Sequence, residues 1–501
     1  MNENAIVKIL DIHRAKVDKQ ALWGFAIDQP KKGSKTNTYA IYVSGWVLGK
    51  HSKVVEVQLL SEGRLLRKAT AIINRPGVAK LYPQVSGATN CGYQIEVGVI
   101  GLPLEGELSI RAVFENQSTV SIGVIKYRRQ LLNSNYQSKL QPLLVTSSGR
   151  SGTTWIMRLL SQHPTIVTSQ IHPYEIRASQ YWMQMFAALS QPSNPVDFSP
   201  TYFYDEFRWT GPNPYNNYNI NSCLDSSWLG LDYIENIADF CRQNIDRFYE
   251  NIAIRQGKVL TPPLDSSYNF YFVEKFLLKL NRTLLLELYP QAREIILVRD
   301  FRDMACSVAA FNSKRGYVDF GRQRFKSDRE YIQKGVKSAA FHILQLWKER
   351  KQQAHLVRYE DLILAPEKTL HSIFEYLHLD NSSSTISKIL EIASEDTKQL
   401  KRHRTSAKPQ ESIRRWRNDL EPSLQDLCTE VCQEALQEFG YSLTGEEKLS
   451  PLPKVTKPEF KTEPPLVPAN SNLATPTESA RNKLEKMKSK IQNIKKSLEQ
   501  S

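Results

Sequence analysis

Only six cysteines occur in the 501 residues, and Cys91, Cys223, Cys241, Cys306, Cys428 and Cys432 are scattered without the paired spacings of a metal site. A disulfide framework and a cysteine-held zinc are therefore excluded as organising devices, and no metal is expected. Cys428 and Cys432 share a helix face, but with no further ligands beside them they read as core residues. No run of 18 apolar residues appears, so no membrane-spanning helix is expected. The first 30 residues also lack the apolar block of a secretory leader, which predicts a soluble, cytoplasmic protein. Absent too is the lysine of a nucleotide-triphosphate loop, which needs Gly-x4-Gly-Lys-[Ser/Thr].

What is plentiful is positive charge: 66 Lys and Arg against 52 Asp and Glu, a formal net charge of +14. The excess favours acidic partners such as a nucleotide or an anionic substrate. Part of it sits near the C-terminus, so it says little about any one site, and no nucleic-acid partner is inferred. The length predicts two domains plus tails.

The most informative stretch is Leu143-Leu-Val-Thr-Ser-Ser-Gly-Arg-Ser-Gly-Thr-Thr-Trp-Ile-Met-Arg-Leu-Leu160. Leu143 to Val145 reads as a buried strand, Thr146 to Thr154 as a loop of small polar residues, and Ile156, Leu159 and Leu160 resume at helical spacing. Gly149 and Gly152 let the backbone curl so that N–H groups and a helix N-terminus converge on one anion. Ser151, Thr153 and Thr154 add hydroxyl donors, and Arg150 adds a permanent forked cation.

Residues 1–130 read as an all-β, sandwich-like domain. Tyr39 to Leu48, Val54 to Leu60, Tyr93 to Val99 and Leu108 to Phe114 are branched or alternating runs separated by turn residues. Tyr127 to Gln141 is polar and basic and reads as a linker. From 141 to 444, buried strands alternate with amphipathic helices, which predicts α/β architecture, a parallel sheet with helices on both faces. Within it, Tyr202 to Tyr218 has no period and reads as a long loop, and Trp228 to Arg255 as a helix. Residues 445–476 are Pro-rich and cannot build a core, so a flexible linker is expected. In 477–501, Ala480, Leu484, Met487, Ile491, Ile494 and Leu498 form a short heptad seam flanked by lysines. Self-association, contact with an anionic membrane surface and a solvated helix with no role all remain open for it.

A second anion site is legible downstream. Glu294-Ile-Ile-Leu-Val-Arg299 is a buried strand ending in a cation, and Asp303 is placed to cap the helix that carries Ser307. Arg299 and Ser307 can then point at one spot, which fits a phosphate.

Arg150-Ser-Gly-Thr-Thr154 and Arg299-x7-Ser307 together resemble the sulfotransferases that use 3'-phosphoadenosine 5'-phosphosulfate. The first resembles their 5'-phosphate loop, in the Arg form of the protein-tyrosine branch, and the second their 3'-phosphate site. Phe301 stands where that family often has proline. The resemblance covers roughly 141 to 443 and implies transfer of a sulfuryl group to a hydroxyl or amine. It implies that Arg150, Ser151, Gly152, Thr153, Thr154, Arg299, Ser307, Tyr359 and Arg415 bind the nucleotide. Tyr359, in Leu356-Val-Arg-Tyr-Glu-Asp-Leu362, would lie against the adenine, with Trp155 on the other side of the ring. Arg415 would belong to a basic closing flap over His403 to Arg417, in which Arg414 is the alternative.

For the proton the acceptor must lose, the resemblance points to Glu175, in Ser169-Gln-Ile-His-Pro-Tyr-Glu175-Ile-Arg, with His172 as the alternative base. Lys275 would touch the transferring group, or else is a surface helix lysine. The segments Gly45-Trp-Val-Leu-Gly49 and Arg75-Pro-Gly-Val-Ala79-Lys-Leu-Tyr82-Pro83 look like those of β domains appended to bacterial glycosyl- and sulfotransferases. Trp46 and Tyr82 would either stack on a sugar or simply fill a core. A glycan or glycolipid acceptor is favoured on this basis. The rival readings are a P-loop kinase and a non-catalytic carbohydrate-binding or scaffold protein.

Overall fold

The computed structural model describes residues 5–444 apart from 133, 135, 191–231, 261–269, 278–281, 317–319, 396–404 and 407. The loop expected over Tyr202 to Tyr218, the linker over 445–476 and the heptad seam over 477–501 lie outside the described residues.

The N-terminal part is built on ten strands: β1 (Val7–Arg14), β2 (Leu22–Gln29), β3 (Lys35–Thr36), β4 (Ala40–Gly49), β5 (Val54–Ser61), β6 (Arg64–Thr70), β7 (Ile73–Asn74), β8 (Asn90–Gly98), β9 (Glu105–Phe114) and β10 (Thr119–Arg129). They form a six-stranded sheet, β3-β1-β10-β9-β5-β6, and a four-stranded sheet, β2-β4-β8-β7, with every pair antiparallel. Alternation explains the core: Leu108, Ile110 and Ala112 of β9 point inward with Val43 and Val47 of β4 and Ile95 of β8, so both sheets share one apolar cluster. The short helix Pro76–Leu81 carries Val78 into a smaller cluster with Leu48, Ala88 and Cys91.

The stretch expected to be a linker is packed instead. Tyr127, Leu132 and Leu140 are buried in the same cluster as Phe272, Leu285 and Leu288 from the following α/β part. Arg129 is buried as well, and its Nη1 pairs with Glu287 Oε1 at 2.6 Å. Glu287 also accepts from the backbone N–H of Gly101 at 3.0 Å and of Leu132 at 2.9 Å, which satisfies the carboxylate that burial would otherwise penalise. Polar composition misleads here because the basic side chain is matched by an acid 158 residues away.

The second part is a five-stranded parallel sheet of β11 (Gln141–Ser147), β12 (Ile166–Val167), β13 (Tyr271–Leu277), β14 (Arg293–Val298) and β15 (Ala354–Arg358), in the order β12-β13-β11-β14-β15. Period-two alternation sorts its faces. Leu143, Val145, Ile295 and Leu297 pack with helices Thr153–Ser161 and Pro366–Leu377, whereas Ile296, Val298 and Leu356 pack with Phe301–Arg315, Lys337–Arg350 and Pro422–Glu438. Helices therefore cover both faces. Cys428 and Cys432 lie buried on the last of these helices, as their spacing indicates.

This topology fixes where a ligand can sit. The chain leaves β11 toward one face of the sheet and leaves the neighbouring β14 toward the other, so the two following loops diverge beyond the strand ends and open a crevice.

Candidate active site

At the crevice lies a cavity of ≈ 480 Å³, walled by the loop after β11, the ends of β13 and β14, the helix after β14 and residues 405–412. Five charged side chains line it: Arg150, Arg177, Lys275 and Arg299 against the single carboxylate of Glu175. That imbalance among the described residues suits a multiply charged anion.

The loop takes its shape from two backbones with positive φ. Gly152, at φ 89°, is the N-cap of helix Thr153–Ser161. A Cβ there would sit 2.2 Å from Cδ2 of Tyr359, so only glycine lets the loop lie against that ring. Arg150 itself has φ 64°, a left-handed conformation uncommon outside glycine. Its guanidinium lies 4.4 Å from the Phe311 ring centroid and Nε donates to Ser307 Oγ at 3.2 Å. Burial, and then the nearby Arg299 charge, pull its pKa down to about 10, which still leaves it protonated at neutral pH.

Arg299 follows the end of β14. Its Nη1 donates to the Arg150 carbonyl at 3.2 Å, Nη2 donates to the Ser412 carbonyl at 2.6 Å, and its guanidinium lies 4.6 Å from the Tyr359 ring centroid. Nε is buried with no hydrogen-bond partner among the described residues. The two anion sites read from the sequence thus adjoin on one cavity: Arg150 of the first bonds Ser307 of the second, and Arg299 of the second bonds the backbone of the first. Tyr359 OH and Ser412 Oγ lie 3.0 Å apart, and the ring is nearly buried against Gly152.

Thr153, Thr154 and Trp155 also line the cavity. Ser151 does not: its hydroxyl is fully buried and meets Ser148 Oγ at 3.0 Å. Lys275 lies on strand β13 and is buried, so it is no surface helix lysine. Its Nζ donates to Thr154 Oγ1 at 3.0 Å, to Glu175 Oε1 at 3.0 Å and to the Pro173 carbonyl. Burial lowers its pKa, an effect that the Glu175 carboxylate opposes. Glu175 is half-exposed and also accepts from Arg177, whose Nε is held by the Lys275 carbonyl at 2.8 Å. His172, the alternative base, is not among the residues lining the cavity, and its ring lies 6.4 Å edge-on from Tyr174.

Two further expectations change. Arg415 is not on the cavity wall: its Nε pairs with Asp419 at 2.5 Å, and Nη1 donates to Thr405 Oγ1 at 3.2 Å. Asp303 does not cap the helix that carries Ser307. That helix begins one residue after Asp300, whose side chain accepts from Arg302 N at 2.9 Å. Asp303 instead accepts from the backbone N–H groups of Arg414 at 2.6 Å and Trp416 at 3.0 Å. Sequence reading also missed Arg177, Phe311, Phe320 and Ser412 on the wall. Phe311 had a signal, since it falls four residues after Ser307 on the same helix face.

On the β part, Trp46 and Tyr82 pack at 6.1 Å beside Leu48 and Val78, and Tyr82 OH donates to the Trp23 carbonyl at 3.3 Å.

Residues 142–384, just under half of the chain, match the model of the sulfotransferase family. Solved structures similar to the chain include a sulfotransferase domain from the curacin biosynthetic pathway, at 14% identity, covering 60% of this chain and 98% of that one with a TM-score of 0.33. A sulfotransferase domain from the Synechococcus PCC 7002 olefin synthase is 15% identical, covering 61% and 98% with a TM-score of 0.32. A mouse sulfotransferase complexed with PAP is 14% identical, covering 61% and 86% with a TM-score of 0.32. No curated protein matches the chain.

Proposed function

We propose that this protein transfers a sulfuryl group from 3'-phosphoadenosine 5'-phosphosulfate to a hydroxyl or amine of a glycan or glycolipid. The observation that carries the reading is the convergence of Arg150, Arg299, Ser307 and the loop threonines on one cavity that holds four cations and one carboxylate. A nucleotide with phosphates at two positions fits that donor set, and the buried Arg299 Nε is a donor with no acceptor among the described residues. When bound, the nucleotide supplies the sulfuryl group.

The residues then divide the work. Arg299 and Ser307 hold the 3'-phosphate, with Arg150 beside them. Gly152, Thr153 and Thr154 cradle the 5'-phosphate at a helix N-terminus. Lys275 and Arg150 meet the charge that grows as the nucleotide leaves, and pre-aimed donors of this kind are worth about 3 kcal/mol each. Glu175 takes the acceptor's proton. Each of its oxygens already accepts one hydrogen bond, and a carboxylate oxygen has a second lone pair to offer. The glycan preference rests on the appended β part.

Titration with adenosine 3',5'-bisphosphate in the presence of a metal chelator tests the nucleotide assignment. Saturable binding, weakened by Arg299→Ala, is expected. A chain that ignores this nucleotide but binds ATP with magnesium would be a kinase instead.

A further inference from the structure

Residues 405–416 come from far along the chain yet form one wall of the cavity, through Thr405, Ser406, Pro409 and Ser412. A buried carboxylate is one of the groups that tie this segment down. Asp303, 1% exposed on the first turn of helix Phe301–Arg315, accepts the Trp416 N–H on Oδ1 and the Arg414 N–H on Oδ2. Two residues before Arg414, the Ser412 carbonyl receives Arg299 Nη2, and the Ser412 hydroxyl meets Tyr359 OH. The backbone at Arg414 has φ 61°, a conformation that a non-glycine residue holds only when its surroundings enforce it. Arg302 adds to the anchor, with its guanidinium 4.0 Å from the Trp416 ring centroid.

We propose that Asp303 is a positioning residue for nucleotide binding: by clamping Arg414 and Trp416 it sets Ser412, and through Ser412 it aims Arg299 into the cavity. Geometry supports this over mere packing, because a carboxylate offers one oxygen to each N–H whereas an amide offers only one acceptor for both. The inference rests on the nucleotide reading above.

The experiment follows amide hydrogen exchange at Arg414 and Trp416, and affinity for adenosine 3',5'-bisphosphate, in the full chain and in Asp303→Asn and Asp303→Glu. Without nucleotide, Asp303→Asn should speed exchange at both amides relative to wild type. Its dissociation constant should rise about tenfold, the loss expected for one hydrogen bond to a charged group. Asp303→Glu, which keeps both oxygens, should recover part of each. Unchanged exchange in Asp303→Asn, or faster exchange with unchanged affinity, overturns the proposal. If Asp303→Asn fails to fold, wild type alone decides: the nucleotide should slow exchange at both amides, and exchange indifferent to saturating nucleotide refutes the link. Wild type that binds no adenosine 3',5'-bisphosphate would instead sink the nucleotide reading, and the exchange measured without nucleotide would still judge the clamp.

Discussion

The two halves of the cavity are built differently. On the side of Arg299 and Ser307, the groups are buried, emerge at a strand end and on the following helix, and are cross-bonded to one another. On the side of Glu175, the carboxylate is half-exposed and is held by two cations, Lys275 and Arg177. Under the proposed function, the first half holds the nucleotide and the second presents Glu175 to the acceptor, so that reading puts donor binding and acceptor choice in separable places.

Substitutions should separate these halves by which kinetic constant they move. Glu175→Gln is expected to have the largest effect, lowering kcat by about 10² to 10⁴, the usual contribution of a general base. Affinity for adenosine 3',5'-bisphosphate should not change. A loss of affinity with kcat intact would move the base to His172 and blur the division between the halves.

Arg299→Ala should do the reverse. It removes the groups that bond Ser412 and the Arg150 carbonyl, and leaves the positive pocket short of a cation. Nucleotide affinity should fall by roughly 10- to 100-fold, on the scale of a charge-assisted hydrogen bond. Calorimetric titration would read this, and wild-type affinity would remove Arg299 from the binding surface.

Gly152→Ala probes the joint between the halves. The added methyl group meets the Tyr359 ring at 2.2 Å, in a backbone conformation that side chains avoid. A loss of about 1 to 3 kcal/mol in unfolding free energy is expected, with weaker nucleotide binding. Thermal melts with and without the nucleotide would separate the two effects.

How much of this was legible depends on how local each cause is. Arg150 to Thr154 and Arg299 to Ser307 could be read because a strand, a turn and a helix compress their partners into short stretches. Asp303 could not, because the N–H groups it holds lie 111 and 113 residues away and nothing in its neighbours marks them. Lys275 was ambiguous for a different reason. Tyr271-Phe-Val-Glu-Lys275 is a short apolar run that suits a helix or a strand, and only pairing with β11 decides. The strands of the β part were visible from alternation, but its fusion to the α/β core through Arg129 and Glu287 was not, since a buried ion pair looks like surface charge in sequence.

The smallest expected effect concerns the sheet beneath both halves. His163 is buried beside Phe374, its ring accepts from the Thr165 N–H at 3.3 Å, and burial pushes its pKa down from 6.5 to about 4. Between those values the unfolded chain binds a proton that the folded one does not, so this histidine's contribution is complete above pH 6.5 and is lost as the pH falls toward 4. The loss is about 1 to 2 kcal/mol between pH 7 and pH 5. Burial and the Asp300 charge push the Asp303 carboxyl up, a shift opposite in direction to that of His163. The total pH profile therefore cannot isolate either group, but a difference can. Urea midpoints of wild type and His163→Gln should converge on moving from pH 7 to pH 5, since only wild type carries the histidine's penalty. Parallel profiles would mean that the buried ring takes up its proton as readily folded as unfolded.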